Sequence, residues 1–217
     1  VKGGSKMRVN KKKEHILDAA EALMCGIPDK DISVEMIAGK AGIAKGSIYY
    51  YFDSKDDIVN AVIERSYATA INEYFADSND ASDPLSKIKS LFRSVLRQEF
   101  CDKRKNIIVY FHVQENPVLR MKMMMTAVRT ISPILAKLLA EGAEQGCIRA
   151  DFPEEGSEMI IAMLTFLLDR SFFPSDSEGI YRKLKLYANV LETCMQAEKG
   201  SFDFLYSSNE AAEFMKD

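Results

Sequence analysis

Residues 43–55 read Ile-Ala-Lys-Gly-Ser-Ile-Tyr-Tyr-Tyr-Phe-Asp-Ser-Lys. These side chains suit recognition of phosphate and sugar. Phenols donate to phosphate oxygens and pack against sugars, and a lysine supplies positive charge. A glycine lets a backbone come close to a partner. At about 100° per residue, a helix from Lys45 to Phe52 makes about two turns. Ile48 and Phe52 then share one face, the core face. The opposite arc carries Gly46, Ser47 and Tyr50, with Tyr49 and Tyr51 on either side. An ordinary solvated face would carry Glu, Lys and Gln. The plain alternative is that the tyrosines only pack a small domain.

Catalysis has little to work with. The chain has two histidines, His15 and His112, with no nucleophile motif, no phosphate loop and no metal-ligand spacing. Cys25, Cys101, Cys147 and Cys194 are too far apart for metal or redox pairing and read as reduced thiols. No catalytic residue, metal or cofactor is assigned. Carboxylates are scattered over helix surfaces, where solvation is the default.

The elements that must position the phenols can be read on either side. Ser33 to Gly42 reads as a short helix with Ser33 as N-cap and Gly42 just past its end. Two short helices joined by a glycine-containing turn form a helix-turn-helix, whose second helix enters the major groove of DNA. Ser54 caps the next helix, with Asp57 in the capping-box position.

Ile37-Ala38, Ala41-Gly42-Ile43, Lys45 to Phe52 and Ser54-Lys55 resemble the signature of the tetracycline-repressor (TetR) family, over roughly residues 14–60. One departure is Ala44, where family members often carry Ser or Thr. Its side chain can neither cap nor donate to phosphate, which leaves that role to Ser47 or a backbone amide. On this reading Lys45, Gly46, Ser47, Tyr49, Tyr50 and Tyr51 form the DNA surface, and Ser33 and Lys55 sit on backbone phosphates. The resemblance implies that the tyrosines and Lys55 meet phosphate more than bases.

The net charge of −3 argues against non-specific attraction to nucleic acid, but the charge is uneven. Lys2, Lys6, Arg8, Lys11, Lys12 and Lys13 fall in the first thirteen residues, without an acid. A flexible basic arm there could add phosphate contacts or reach into the minor groove; the alternative is a solubilising tail. No apolar signal segment opens the chain, and no run reaches the roughly 18 apolar residues of a membrane helix. A cytoplasmic protein without a membrane partner is expected.

Long alternating β-branched runs are absent, so the expected fold is all-α. A three-helix helix-turn-helix domain with its basic arm is expected over 1–55, and a helical effector-binding and dimerisation domain over 56–217. The first helix runs from about Lys11 to Met24, with His15 a surface or phosphate contact. An unbroken helix from Lys55 to about Phe75 acts as a rigid connector. Further helices are expected over about 84–101, 106–114, 118–146, 154–173 and 177–198, with Pro133 kinking or splitting the third of these. A short terminal helix is expected within 202–215. The turn at 146–153 carries Gly-x-Ile-Arg-x-Asp, which is similar to a pattern in the family.

The interior of the second half is rich in adaptable and aromatic side chains: Tyr67, Tyr74, Phe92, Tyr110, Phe111, Met121, Met124, Met125, Met163 and Phe166. With His112, Gln114, Glu115, Asn116, Arg129 and Thr165 as polar candidates, these are the candidate lining of a pocket for a small apolar or aromatic effector. A filled core is the alternative for each. The helix at 154–173 is apolar almost all round, so protein must cover both its sides. With the helix at 177–198 it can form half of a four-helix bundle completed by a second copy. The resemblance implies the same homodimer, gripping palindromic operator DNA and acting as an effector-released repressor. The alternative is a DNA-binding structural or division-linked dimer with no effector.

Overall fold

The computed structural model describes residues 3–26, 32–77, 83–100, 117–169 and 172–207. The helix expected over 106–114 lies outside them, with Tyr110, Phe111, His112, Gln114, Glu115 and Asn116. So do most of the loop after residue 77 and the chain beyond 207. Every regular element among the described residues is a helix, and the fold is all-α. The elements are α1 (Gly3–Gly26), α2 (Val34–Ala41), α3 (Lys45–Ile48), α4 (Lys55–Asp77), α5 (Pro84–Phe100), α6 (Pro117–Glu144), α7 (Pro153–Leu168), α8 (Ser177–Met195) and α9 (Phe204–Ser207).

The chain divides into two compact units, Val1–Ser66 with Cys101–Lys122 and Tyr67–Phe100 with Met123–Asp217, so one boundary falls inside α4, between Ser66 and Tyr67, and another inside α6, between Lys122 and Met123. Sequence reasoning places the first of these earlier, at residue 55. The first turns of α4 stay with the first unit for a physical reason. Ile58, Val59, Val62 and Ile63 are buried there, and Arg65 pairs with α1.

In the first unit, α1 begins at Gly3, eight residues ahead of the expected start. Lys, Arg and Met are good helix formers, and no proline interrupts them. The basic stretch at 6–13 therefore winds as helix rather than extending as an arm. Ile16, Ala19, Ala20 and Met24 form its buried stripe. Arg65 of α4 holds three carboxylates of α1: Asp18 at 2.7 Å, Glu14 at 3.3 Å, and Glu21. These acids lie at i, i+4 and i+7, one face of the helix. Burial alone would push the Arg65 guanidinium down; its hydrogen bonds with Glu21 and Asp18 outweigh that and hold it up. His15 is at the surface, with Nε2 3.1 Å from the Ala41 carbonyl.

In the second unit, α5 to α9 surround one apolar cluster that includes Leu91, Phe92, Ile131, Leu135, Leu164, Leu184, Tyr187 and Leu205. Pro133 sits inside α6 without splitting it. The residue is exposed, and the carbonyl that its ring denies a partner belongs to Arg129, also at the surface. The stretch Arg120–Glu144 reaches a mean hydropathy of 1.3, enough by composition to cross a membrane. Its apolar side chains are used otherwise: Ala127, Ile131, Leu135, Leu138 and Leu139 all belong to the cluster.

Helix α7 stops at Leu168, five residues short of its expected end. The Asp169 carbonyl accepts from the N–H groups of Phe172 and Phe173 at 3.2 and 3.1 Å. Both rings then fold back on Phe166, at centroid distances of 5.2 and 5.3 Å. Asp176 caps α8 by accepting from the Gly179 N–H at 2.8 Å. The Tyr187 hydroxyl donates to the Ile160 carbonyl at 2.7 Å, joining α8 to α7, and burial pushes that phenol far up. The buried Glu192 accepts from the N–H groups of Gly200 and Phe202, at 2.8 and 3.1 Å. That seats Phe202, Phe204 and Leu205 in the core.

Candidate nucleic-acid interface and the apolar face of the second unit

The helix-turn-helix is built from local signals. The Ser33 hydroxyl accepts from the Met36 N–H at 3.2 Å and starts α2. Gly42 ends it at φ 63°, a left-handed conformation that suits glycine. The Gly42 and Ile43 N–H groups close on the carbonyls of Gly39 and Ala38 at 3.2 and 3.0 Å. Ala44 then leads into α3 without a side-chain cap.

Helix α3 is a single turn, shorter than the two turns expected. Gly46 costs about 1 kcal/mol of helix propensity, and successive aromatic residues lose rotamer freedom in a helix. The chain nevertheless keeps winding: the Tyr51 and Phe52 N–H groups both donate to the Ile48 carbonyl, at 2.8 and 3.0 Å. Ile48 and Phe52 are buried, so the inner face is the one expected. Ser54 then starts α4. Its oxygen accepts from the Asp57 N–H at 3.1 Å and donates to the Asp57 carboxylate at 2.8 Å.

The outer face carries most of the residues expected there. Lys45, Gly46, Ser47, Tyr49 and Tyr50 are exposed, while Ser33, Tyr51 and Lys55 are half-buried. Tyr50 is 75% exposed, and its ring meets that of Tyr51 edge-on at 4.9 Å. A Cβ added to Gly46 would meet nothing within 4 Å, so its outer side is open. Lys13 of α1 lies 5.3 Å from the centre of the Phe52 ring. Lys45 is not a bare cation: it pairs with Glu35 in the first turn of α2. Hydrogen bonding to Lys45 holds the Glu35 carboxyl below the usual range, and the same bond raises Lys45. Sequence reasoning passed over Glu35. Its one signal was an acid ten residues ahead of the lysine, a spacing with no helical meaning across a turn.

Among the described residues, the effector candidates are found both in the core and at the surface. Tyr74 and Phe92 are buried in the core cluster of the second unit, and Tyr67 packs against it half-buried. Met124 is half-buried. Met121, Met125, Met163 and Phe166 are exposed. The physical reason is that a helix apolar all round does not say which side meets the core. Ile160, Ile161, Leu164 and Leu168 turn inward from α7, while Met159, Met163 and Phe166 turn outward.

Two grooves flank α7. The one towards α8 has a volume of about 480 Å³, with Phe152, Met159, Met163, Tyr187, Val190 and Cys194 in its walls. Arg149 stands there too, paired with Asp151 at 2.6 Å; that pairing raises the guanidinium and lowers the carboxyl. The groove towards α6, of about 550 Å³, is more polar, with Arg129, Lys137, Glu154 and Glu158. Of the expected effector residues that are described, Met163 lines the first groove and the polar candidate Arg129 the second.

Comparison with known proteins agrees with this architecture. A model of the bacterial regulatory proteins of the tetR family matches residues 16–62, the helix-turn-helix and the start of α4. A model of the tetracyclin repressor-like C-terminal domain matches residues 103–190. The HTH-type transcriptional regulator AcrR of Shigella flexneri is 27% identical over 111 residues, 50% of this chain and 52% of AcrR, so the match spans about half of that relative. The HTH-type transcriptional repressor DhaR of Mycobacterium sp. (strain GP1) is 26% identical over 154 residues, 66% of this chain and 76% of DhaR. Among solved structures, RolR in complex with resorcinol superposes with a TM-score of 0.68 over 94% of this chain and 96% of RolR. At 16% identity, that likeness is one of fold. With both family models matched in chain order and a capped helix-turn-helix at the first of them, the chain belongs to the tetR family of bacterial regulatory proteins.

Proposed function

We propose that this protein is a one-component transcriptional repressor that binds palindromic operator DNA as a homodimer and is released by a small apolar or aromatic molecule. The observation that carries the reading is the outer face of 45–51. Ser47, Tyr49 and Tyr50 are turned to water while Ile48 and Phe52 anchor the same segment in the core. Exposed phenols match phosphate, and the short turn between α2 and α3 is the geometry that presents them to a groove. Two copies would meet successive major grooves about 34 Å apart, or a multiple of that.

The test is selection of duplexes from a random pool by the purified protein. A palindromic sequence should emerge, bound at two protomers per duplex. Recovery of no preferred sequence would sink the repressor reading.

The homodimer draws support from the outward side of α7 and α8. Phe152, Met159, Met163, Phe166, Leu186 and Val190 form an exposed apolar set on one chain. Cover by a second copy would remove them from water. The effector draws support from relatives alone; RolR was solved with resorcinol, and that compound is a sensible first probe by thermal shift. One observation favours the second reading, a DNA-binding dimer without effector: Tyr74 and Phe92 are buried in the core cluster. A screen of aromatic and apolar compounds in which none releases DNA would move the choice to that reading.

A further inference from the structure

We propose that Glu35 is a positioning residue for Lys45 and a brake on sequence-independent binding: its carboxylate holds the ammonium against α2 and withholds one cation from duplex DNA. The inference rests on the DNA-binding reading above and deepens it.

The geometry is specific. Glu35 lies in the first turn of α2, and Lys45 is the first residue of α3. Their side chains meet across the turn as an ion pair, with 59% and 50% of their surfaces in water. The Lys45 end of that pair stands beside the exposed Gly46 and Ser47. A cation at this place is expected to meet DNA first, yet on the free protein its charge is already answered.

The energetics decide what such a pair can do. An exposed ion pair contributes about 0.2–1 kcal/mol and is weakened by salt. A base edge that accepts from an ammonium in the right place offers about 1–3 kcal/mol of discrimination, so it can take Lys45 from Glu35. An arbitrary phosphate offers mainly counterion release, and that gain is offset by leaving a carboxylate beside the polyanion. Glu35 therefore lowers affinity most where the sequence has nothing to offer. Specificity is a difference of affinities, and a repulsive group is one way to widen it.

The test uses the full chain and a fluorescein-labelled duplex of arbitrary sequence, with polarisation read between about 50 and about 200 mM salt. Glu35→Gln should steepen the plot of log affinity against log salt by about 0.9, an additional change of about 3.5-fold across that fourfold range. Lys45→Met alone should leave the wild-type slope almost unchanged, and in that background Glu35→Gln should no longer steepen it. Glu35→Asp should keep the wild-type slope. Equal slopes for wild type and Glu35→Gln would overturn the inference. So would a steepening that persists without Lys45, since the carboxylate would then act as a bystander charge. A flattening by Lys45→Met alone would overturn it too, because Lys45 would already be on phosphate. If the wild type binds no duplex in a salt-dependent way, the DNA-binding reading fails and takes this one with it. A fold defect would lower binding and cannot imitate a steeper slope with tighter binding at low salt.

Discussion

Two of the regions that leave large side chains in water do so differently. On the outer face of residues 45–51 the exposed rings are Tyr49 and Tyr50. Around α7 and α8 they are Phe152, Phe166, Phe172 and Phe173, with Met159, Met163 and Leu186 beside them. A phenol keeps a hydrogen-bonding group in water and can wait there for a polar partner. A phenyl ring or thioether gains only by leaving water, at roughly 25 cal/mol per Å². The first surface therefore fits a polyanion and the second fits protein. Large contiguous apolar patches on protein surfaces generally mark interaction sites.

The comparison can be broken most forcefully at Met163. On one chain the residue is 43% exposed, so Met163→Glu should fold normally. If a second copy covers it, the variant buries an unpaired charge at a cost of about 3–5 kcal/mol. Sedimentation should then show one chain of 24.4 kDa where the wild type shows two. An unchanged dimer would place the interface elsewhere.

The phenolic side is tested at Tyr49. Tyr49→Ala should weaken operator binding by roughly tenfold, the loss of a hydrogen bond of about 1.5 kcal/mol to a charged phosphate. The melting temperature and the dimer should not change. Equal affinity would remove Tyr49 from the DNA surface. Ser54→Ala sharpens the contrast between positioning and contact. It removes the cap that starts α4, which should cost about 1 kcal/mol of stability in urea titration without altering the dimer. A loss near zero would mean that the box contributes nothing.

The smallest expected effect is in pH. The Lys45 hydrogen bond lowers the Glu35 carboxyl, so the pair is present above the ordinary glutamate range and is lost only as pH falls through its depressed value. The difference in salt slope between wild type and Glu35→Gln should therefore be constant from neutral pH down to about pH 5, just above the ordinary glutamate value of about 4.3. It should vanish only in more acid solution, and a difference that fades between pH 7 and 5 would contradict the pairing.

What was legible in the sequence was local. Ser33, Gly42 and the Ser54–Asp57 box name their own roles, because a cap is decided by residues within one turn. Ile48 and Phe52 were legible by spacing. The start of α1 was not, since six basic residues suit a free arm as well as a helix and only the neighbouring turns decide. The clasp of Arg65 on Glu14, Asp18 and Glu21 spans 44–51 positions, and no periodicity carries that information. The effector set was the least legible. Tyr74 and Phe92 went inward and Met163 and Phe166 outward, although all four are equally apolar in a helical pattern.

The fastening of the tail by Glu192 has a genetic consequence. A stop codon at position 200 would delete Phe202, Phe204 and Leu205 together, strip the buried carboxylate of both its backbone donors, and uncover Phe92, whose ring lies 6.1 Å from that of Phe204. A nonsense allele at that position should thus behave as a null allele, although only the last eighth of the chain or less would be missing.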